Sequence, residues 1–212
     1  YYVERGELDG YDLEDWLRLS LLPQLGPIGA RRLLSALGEP AQIFRASRAT
    51  LAEVVGERLA DSIRRGPDAA PLAMALQWAA QPGHTILTLA DAGFPRRLLE
   101  IPDPPVLLYA RGRIELLERD SIALVGSRSA TPQGLANATA FARALSAHGL
   151  TVVSGLALGI DAAAHRGALG EEGSTVAVVG TGVDVSYPRR NRDLMEAIAS
   201  RVAGLPGRKS LI

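Results

Sequence analysis

The sequence predicts an α/β protein in which a Rossmann-like parallel sheet, with helices on both faces, follows a small all-α module. Apolar residues recur at helical spacing through the first 80 residues, which predicts helices. From residue 121 onwards, short apolar runs alternate with helical segments, as in parallel strands joined by right-handed crossovers. Because Pro82 and Gly83 separate the two patterns, we expect a helical domain at 1–82 and a Rossmann-like domain at 83–212.

The helical domain is predicted to consist of helices joined by glycine-rich turns. One turn is expected at 26–29 (GPIG), before a helix that Gly38 closes, and a second at Gly56, before a helix in ERLADSIRR. Thr50 with Glu53 gives a capping-box pattern for the helix that lies between these turns. A turn of this helix-hairpin-helix kind can present N–H groups to a DNA phosphate, or it can simply let two helices pack closely. Both interpretations stay open.

The Rossmann-like domain is predicted from strands and helices that follow one another. Strands are expected at 85–89, 106–109, 122–125, 151–153 and 175–179, and helices at 132–148, 161–169 and 191–200. We expect one small sheet to hold all five strands. Ligands of such a sheet bind at the carboxyl ends of its strands.

Glycine-rich loops follow the last three strands, with the sequences GSRSAT, SGLALGID and GTGVDVSYPRRN. Each loop places small residues and backbone N–H groups at the start of a helix, where anionic oxygen is favoured. Since all three loops meet at one edge of the sheet, they predict a phosphate or nucleotide site rather than tight turns alone. The candidate binding residues are Gly126, Ser127, Arg128, Thr131, Gly134, Ser154, Gly155, Gly159, Gly180, Gly182, Tyr187, Arg189, Asn191 and Arg192.

The first loop does not have a dinucleotide-binding pattern. Gly126-x-Arg128 lacks the G-x-G-x-x-G spacing, and Ser154 follows the second strand where an acidic residue would hold the ribose. The sequence also contains no G-x-x-x-x-G-K-[ST] loop, so a P-loop nucleotidase is excluded. We therefore expect no nicotinamide cofactor, and no other cofactor.

The basic residues of these loops suit single-stranded nucleic acid. An arginine such as Arg128, placed between a strand end and a helix start, can fork onto a phosphate. Arg189 and Arg192 lie close to Tyr187 on the third loop, and a basic track with an aromatic face is typical of single-strand binding. Arginines at the start of a helix are also common as solvated residues, so the third loop alone decides nothing.

Composition narrows the classes of function. The chain has 212 residues, 23 Lys+Arg, 23 Asp+Glu, three histidines and no cysteine. Disulfides and thiolate metal sites are thereby excluded, and no metal site is expected. We found neither a membrane span nor a signal peptide, and we expect a cytoplasmic protein.

Catalytic residues are few in the predicted site. Asp161 and His165 are four residues apart and could form an acid–base pair on one helical face. The favoured interpretation is that Asp161 caps the helix and that His165 packs beside it. No catalytic residue is therefore predicted.

The motifs VGSRSATPQG, SGLALGIDAAAHRGAL and TVAVVGTGVDVSYPRRNRDL, with FPRRLLEIPDPPVLLYARG upstream, closely resemble the DNA-processing protein A family, also called DprA or Smf. The resemblance covers most of residues 12 to 200, and it implies that the helical domain at 1–82 is a SAM-like domain. It implies a non-enzymatic, homodimeric bacterial protein that binds and protects incoming single-stranded DNA and loads the RecA recombinase during natural transformation. By the same resemblance, Gly126, Ser127 and Arg128 contact a DNA phosphate, and Arg189 and Arg192 add basic contacts.

The chain departs from the family pattern in three places. Leu158 stands where some members have a lysine, so one phosphate contact is missing. After Ser200 the family continues with further strands and an F-P-x-R-N-R motif, whereas RVAGLPGRKSLI follows here, and we expect an incomplete sheet. The winged-helix domain that many members carry at the C-terminus is not seen.

Two other functions stay open. The first is a nucleotide-processing Rossmann enzyme similar to a phosphoribohydrolase, although the P-G-G-x-G-T-x-x-E run of such enzymes is not found. The second is an interaction scaffold in which the helical domain holds a partner and the pocket binds no nucleic acid.

Overall fold

The structure is a computed structural model that describes residues 10–182 and 185–200. The chain divides into two compact units, unit 1 with residues 1–82 and 86–108, and unit 2 with residues 83–85 and 109–212. The assignment of two domains with a boundary at residue 82 stays a prediction. The expected shortening of the sheet concerns residues 201–212, which lie outside the described residues.

Unit 1 contains six helices among its described residues. They are α1 (Gly10–Ser20), α2 (Gly26–Leu37), α3 (Pro40–Arg45), α4 (Arg48–Val55), α5 (Glu57–Arg65) and α6 (Ala69–Ala79). Their apolar faces meet in a core that includes the fully buried Leu17, Leu33, Ile43 and Leu51.

Two details of the helical prediction are wrong in position. Residues 26–29 do not form a turn before α2 but its first turn, because Pro27, which needs no N–H partner there, lies at the start of the helix. The bend of the chain into the helix is at Gly26, which has a positive φ of 63°. The cap of α4 is Ser47 rather than Thr50, since the Ser47 Oγ accepts a hydrogen bond from the Thr50 N–H at 3.1 Å.

The first two strands form their own sheet, contrary to the expectation of one five-stranded sheet. β1 (His84–Thr88) pairs with β2 (Leu107–Arg111). The Leu89 N–H donates to the Val106 carbonyl and the Gly112 N–H donates to the Gly83 carbonyl, so the two strands run antiparallel. A 3₁₀-helix at Arg96–Glu100 lies in the connection between them.

Unit 2 confirms the α/β class and the Rossmann-like parallel sheet. β3 (Ser121–Ala123), β4 (Thr151–Ser154) and β5 (Thr175–Ala177) are parallel, in the order β3-β4-β5. The connecting helices are α7 (Pro132–Ala147) and α8 (Ile160–Ala168), and α9 (Arg192–Ser200) follows β5. Near α8 the apolar core of unit 2 contains small side chains, those of the buried Ala162, Ala163, Ala164 and Ala168.

Burial is uneven across this sheet. All three residues of β5 are buried, whereas all three residues of β3 are exposed.

In the part of the chain that the structure describes, no helix is both long enough and apolar enough to cross a membrane.

Candidate nucleic-acid interface

The three glycine-rich loops meet at a pocket of about 370 Å³ beyond the carboxyl ends of β3, β4 and β5. Four of the predicted site residues line this pocket, namely Arg128, Gly155, Gly180 and Tyr187. The other lining residues are Ala157, Leu158, Val179, Thr181 and Pro188. A larger depression of about 520 Å³ lies in unit 1 and contains none of the predicted residues. The loop pocket is the candidate site because the predicted residues converge there.

The first loop holds Arg128 at the mouth of this pocket. Gly126 has no room for a side chain, because a Cβ there would lie 2.8 Å from the Ile160 Cγ1. The Ser127 carbonyl accepts a hydrogen bond from the Ile160 N–H at 3.1 Å, and the Ser127 Oγ accepts one from the Ser129 N–H at 3.1 Å. The guanidinium of Arg128 is exposed and pairs with none of the residues that the structure describes. It is therefore available to an anionic ligand.

Thr131 and Gly134 have a local structural role. Thr131 is the N-cap of α7, and its Oγ1 accepts a hydrogen bond from the Gly134 N–H at 3.1 Å. This bond fixes where α7 begins, and it sets the length of the loop that carries Arg128.

The second loop is pressed against the first. Gly159 has a φ of 80°, and a Cβ at this position would lie 2.1 Å from the Ser127 carbonyl oxygen. Only glycine fits such a close approach of two backbones. Gly155 lies beside Asp161, whose Oδ2 would be 3.0 Å from an added Cβ. The first two loops therefore form one compact backbone surface.

Two predicted site residues are buried and bind backbone atoms. Ser154 is 3% exposed, and its Oγ donates to the Leu124 carbonyl at 2.6 Å. Asn191 is 2% exposed, and its Nδ2 donates to the carbonyls of Leu156 at 2.8 Å and Ala157 at 3.1 Å. Their side chains hold loops in place and do not face the pocket opening.

The third loop supplies the aromatic and basic side chains. Tyr187 is 65% exposed and is joined to Pro188 by a cis peptide bond. Arg189 and Arg192 are exposed, at the 3₁₀-helix Arg189–Asn191 and at the start of α9. Gly180 lines the pocket, and the Gly182 carbonyl accepts a hydrogen bond from the Val185 N–H at 2.8 Å.

Helix α9 is anchored behind these arginines. Leu194, Met195 and Ile198 are buried in a cluster with Leu156 of the second loop. Arg111 donates two hydrogen bonds to the Glu196 carboxylate, at 2.6 and 3.0 Å, and this guanidinium lowers the pKa of Glu196. The middle of α9, from residue 194 to residue 198, is therefore fixed by both apolar and ionic contacts.

The candidate acid–base pair is not at the pocket surface. His165 is fully buried, and its Nδ1 lies 2.8 Å from the Thr175 Oγ1, which itself donates to the Val152 carbonyl. The Nε2 atom of His165 has no hydrogen-bond partner among the described residues. Burial lowers the pKa of His165 from 6.5 to about 4. The prediction that His165 packs beside the helix is confirmed.

The other half of that prediction was wrong in detail. Helix α8 begins at Ile160 with Gly159 as its N-cap, so Asp161 is not the cap. The Asp161 Oδ2 accepts a hydrogen bond from the Ala157 N–H at 3.3 Å. Asp161 thus stabilises the second loop from inside the first turn of α8.

The apolar part of the pocket was not predicted from sequence. Ala157, Leu158, Val179 and Pro188 give it an apolar wall next to the tyrosine ring. Their position in or directly beside the second and third glycine-rich loops was a usable signal, because every residue of a short loop at this edge lies near the ligand. Among the described residues there is no group of three or more potential metal ligands.

Comparison with known proteins places this architecture in a family. A model of the family described as DNA recombination-mediator protein A matches residues 85–205. The chain is 36% identical over 191 residues to Protein Smf of Synechocystis sp., which covers 87% of this chain and 48% of that protein. It is 43% identical over 113 residues to DNA processing protein DprA of Streptococcus pneumoniae, covering 53% of this chain and 40% of that protein. The chain therefore spans about half, or less, of the length of these curated relatives.

Solved structures agree with the sequence comparison. The crystal structure of DprA from Streptococcus pneumoniae is similar with a TM-score of 0.69 and 30% identity, over 92% of this chain and 65% of that chain. A structure of DNA processing protein A from Helicobacter pylori, described for its single-stranded DNA binding mode, is similar with a TM-score of 0.50 and 29% identity, over 60% of this chain and 54% of that chain. Because the family model covers more than half of the 212 residues, the chain belongs to the DNA recombination-mediator protein A family.

Proposed function

We propose that unit 2 binds single-stranded DNA in the loop pocket, with a phosphate at Arg128 and a base against Tyr187. The observation that carries this proposal is the exposed guanidinium of Arg128, which pairs with none of the described residues, at the mouth of a pocket whose glycine backbone leaves room for a phosphate. An arginine and backbone N–H groups together are suited to a phosphate, and an exposed aromatic ring is suited to an unpaired base. The similar protein from Helicobacter pylori supports the assignment, since it binds single-stranded DNA.

The DNA-processing role of the family suggests the fate of the bound strand. We place the protein in the cytoplasm, where it protects incoming single-stranded DNA and delivers it to the RecA recombinase during natural transformation. A homodimer formed by the Rossmann-like domain would hold two such pockets. The proposed delivery to RecA is supported by membership of a recombination-mediator family. Its direct test is whether the protein accelerates RecA filament growth on strands already covered by a single-strand binding protein.

The pocket supports binding better than catalysis. The pocket lining contains no carboxylate among the described residues. The Ser127 Oγ is bonded to the Ser129 N–H, and His165 is buried and neutral. A nucleotide-processing enzyme needs a nucleophile or an acid–base group at the reacting bond. We therefore propose a protein without enzymatic activity, and release of free base from nucleoside monophosphates would overturn that proposal.

The first test replaces the proposed phosphate ligand. Arg128→Ala should weaken binding of a fluorescent oligo(dT) about tenfold in an anisotropy titration, and it should reduce the slope of log Kd against log salt by about one. Its melting temperature should match that of the wild type, since the guanidinium forms no hydrogen bond or ion pair with the described residues.

The matched control is Arg143→Ala. Arg143 is also exposed and lies in unit 2, on α7, where its nearest carboxylate is that of Glu171 at 3.9 Å. This variant removes the same charge away from the pocket and should leave the affinity nearly unchanged. Equal affinities of the wild type and Arg128→Ala would refute the proposed phosphate contact.

A further inference from the structure

A single buried side chain joins the second and third loops of the pocket. The Nδ2 of Asn191 donates to two successive carbonyls of the second loop, those of Leu156 and Ala157. Asn191 itself lies between the exposed Arg189 and Arg192. The amide therefore connects the backbone that carries these arginines to the backbone that forms the pocket wall.

The part of the second loop that Asn191 holds is under conformational strain. Leu156 has a φ of 60°, which is unfavourable for a residue with a Cβ, while its side chain is 1% exposed in the apolar core. Such a backbone persists only where its surroundings fix it. The two hydrogen bonds from Asn191 supply part of that constraint at the carbonyl side, and the Asp161 carboxylate supplies another at the Ala157 N–H.

The other pair of loops is joined differently. The first loop is fixed to the second by backbone contacts, namely the bond from the Ile160 N–H to the Ser127 carbonyl and the close approach of Gly159. At the strand ends, the Val178 N–H donates to the Ser154 carbonyl. Beyond this point, the described hydrogen bonds from the third loop to the second come from the Asn191 side chain. Removal of the Asn191 amide would thus break the described hydrogen bonds between the third and second loops beyond the strand ends, while the backbone contacts of the Arg128 loop would stay in place.

We propose that Asn191 is a positioning residue, which holds Arg189 and Arg192 at a fixed place relative to the pocket so that they and Arg128 meet the same DNA strand. This inference rests on the proposed function and changes the predicted role of Asn191 from phosphate contact to support of the residues that make the contact. A fixed arginine loses less conformational entropy on binding than a free one. The consequence is a coupling between position 191 and the arginines of its own loop, but not with Arg128.

A double-mutant cycle measures this coupling. Asn191→Leu keeps the branched shape of the side chain, with somewhat larger end groups, but removes both N–H donors. In the wild type we expect Arg189→Ala to weaken oligo(dT) binding about fivefold, and in the Asn191→Leu background by less than about twofold. Arg128→Ala should weaken binding by the same factor in both backgrounds. A residue that served only stability would lower the melting temperature and leave both factors unchanged.

Controls separate failure of this inference from failure of the proposed function. Asn137→Leu makes the same chemical change on the exposed surface of α7 and should show no coupling to Arg189. If the wild type does not bind oligo(dT), the proposed function fails. If it binds and both arginine variants weaken it, but Asn191→Leu leaves the Arg189 factor unchanged, the positioning role is refuted. Asn191→Ala, whose smaller side chain leaves space for a water at the two carbonyls, replaces Asn191→Leu if that chain does not fold.

Discussion

The contact between Gly159 and the first loop predicts a large and specific effect of one methyl group. Gly159→Ala would place a Cβ 2.1 Å from the Ser127 carbonyl oxygen and 2.9 Å from the Arg128 Cα, at a φ of 80°. The left-handed backbone costs about 1 kcal/mol for alanine, and overpacking adds about 1–3 kcal/mol. Because the loops must separate to admit the methyl group, the free energy of unfolding should fall by about 2–4 kcal/mol.

Two other glycines divide this total into its parts. Gly149 has a similar φ of 86° but nothing within 4 Å of an added Cβ, so Gly149→Ala measures the backbone term alone. Gly170 has no positive φ, and a Cβ added there would meet nothing within 4 Å, so Gly170→Ala serves as the baseline. Urea unfolding followed by circular dichroism gives the three values. If Gly159→Ala and Gly149→Ala destabilise unit 2 equally, the two loops are not in the contact described here, and oligo(dT) affinity should then also survive the Gly159 change.

Two further predictions concern pH and affinity. Burial lowers the pKa of His165 from 6.5 to about 4. Between these two pH values the unfolded chain binds a proton at His165 that the folded chain does not bind. The free energy of unfolding therefore falls as the pH falls from about 6.5 to about 4. The loss between pH 7 and pH 5 should be about 2 kcal/mol by urea unfolding, and His165→Gln should show a flatter pH dependence; identical pH profiles would contradict the prediction. Leu158→Lys places an ammonium group on the pocket lining, and it should tighten oligo(dT) binding and steepen the salt slope by about one. Leu158→Met is its uncharged control, and a lysine variant with the same salt slope as this control would mean that no phosphate passes that position.

The predicted parts of the site are those that depend on local sequence. The three loops were found because glycines directly follow apolar strand-like runs, and Arg128 was found because a charged residue interrupts such a loop. The parallel order of β3, β4 and β5 follows from the helices that separate them. These features require only the chain direction and the geometry of a crossover.

The roles of Ser154 and Asn191 could not be predicted in the same way. Both side chains carry polar groups that can bind a phosphate, and both residues lie in the glycine-rich loops predicted to form the site. Their side chains nevertheless bind carbonyls of another segment, 30 residues away for Ser154 and 34 or 35 for Asn191. Whether a polar side chain faces a ligand or a distant backbone atom is decided by tertiary contacts, which the periodicity of a single segment does not contain.

The separate pairing of β1 with β2 has a similar cause. Both strands were located to within two residues, yet their sheet was not. The Asp91 carboxylate accepts hydrogen bonds from the Thr88 N–H and Oγ1, at 2.7 and 2.9 Å, and so stabilises the turn of the chain after β1. A strand propensity says that a segment is extended, but it does not say which neighbour will complete its hydrogen bonds.

The glycine backbone in the pocket lining, at positions 155 and 180, has a consequence for how a strand would move. A pocket floor made of backbone offers the same groups to every nucleotide, since the repeating phosphate is the same at each step of the chain. For a strand held as we propose, shifting by one nucleotide would replace each contact with an identical one. The protein could then move along the strand without a preferred position, and the recombinase that we propose as its partner could displace it at any position rather than at one fixed site.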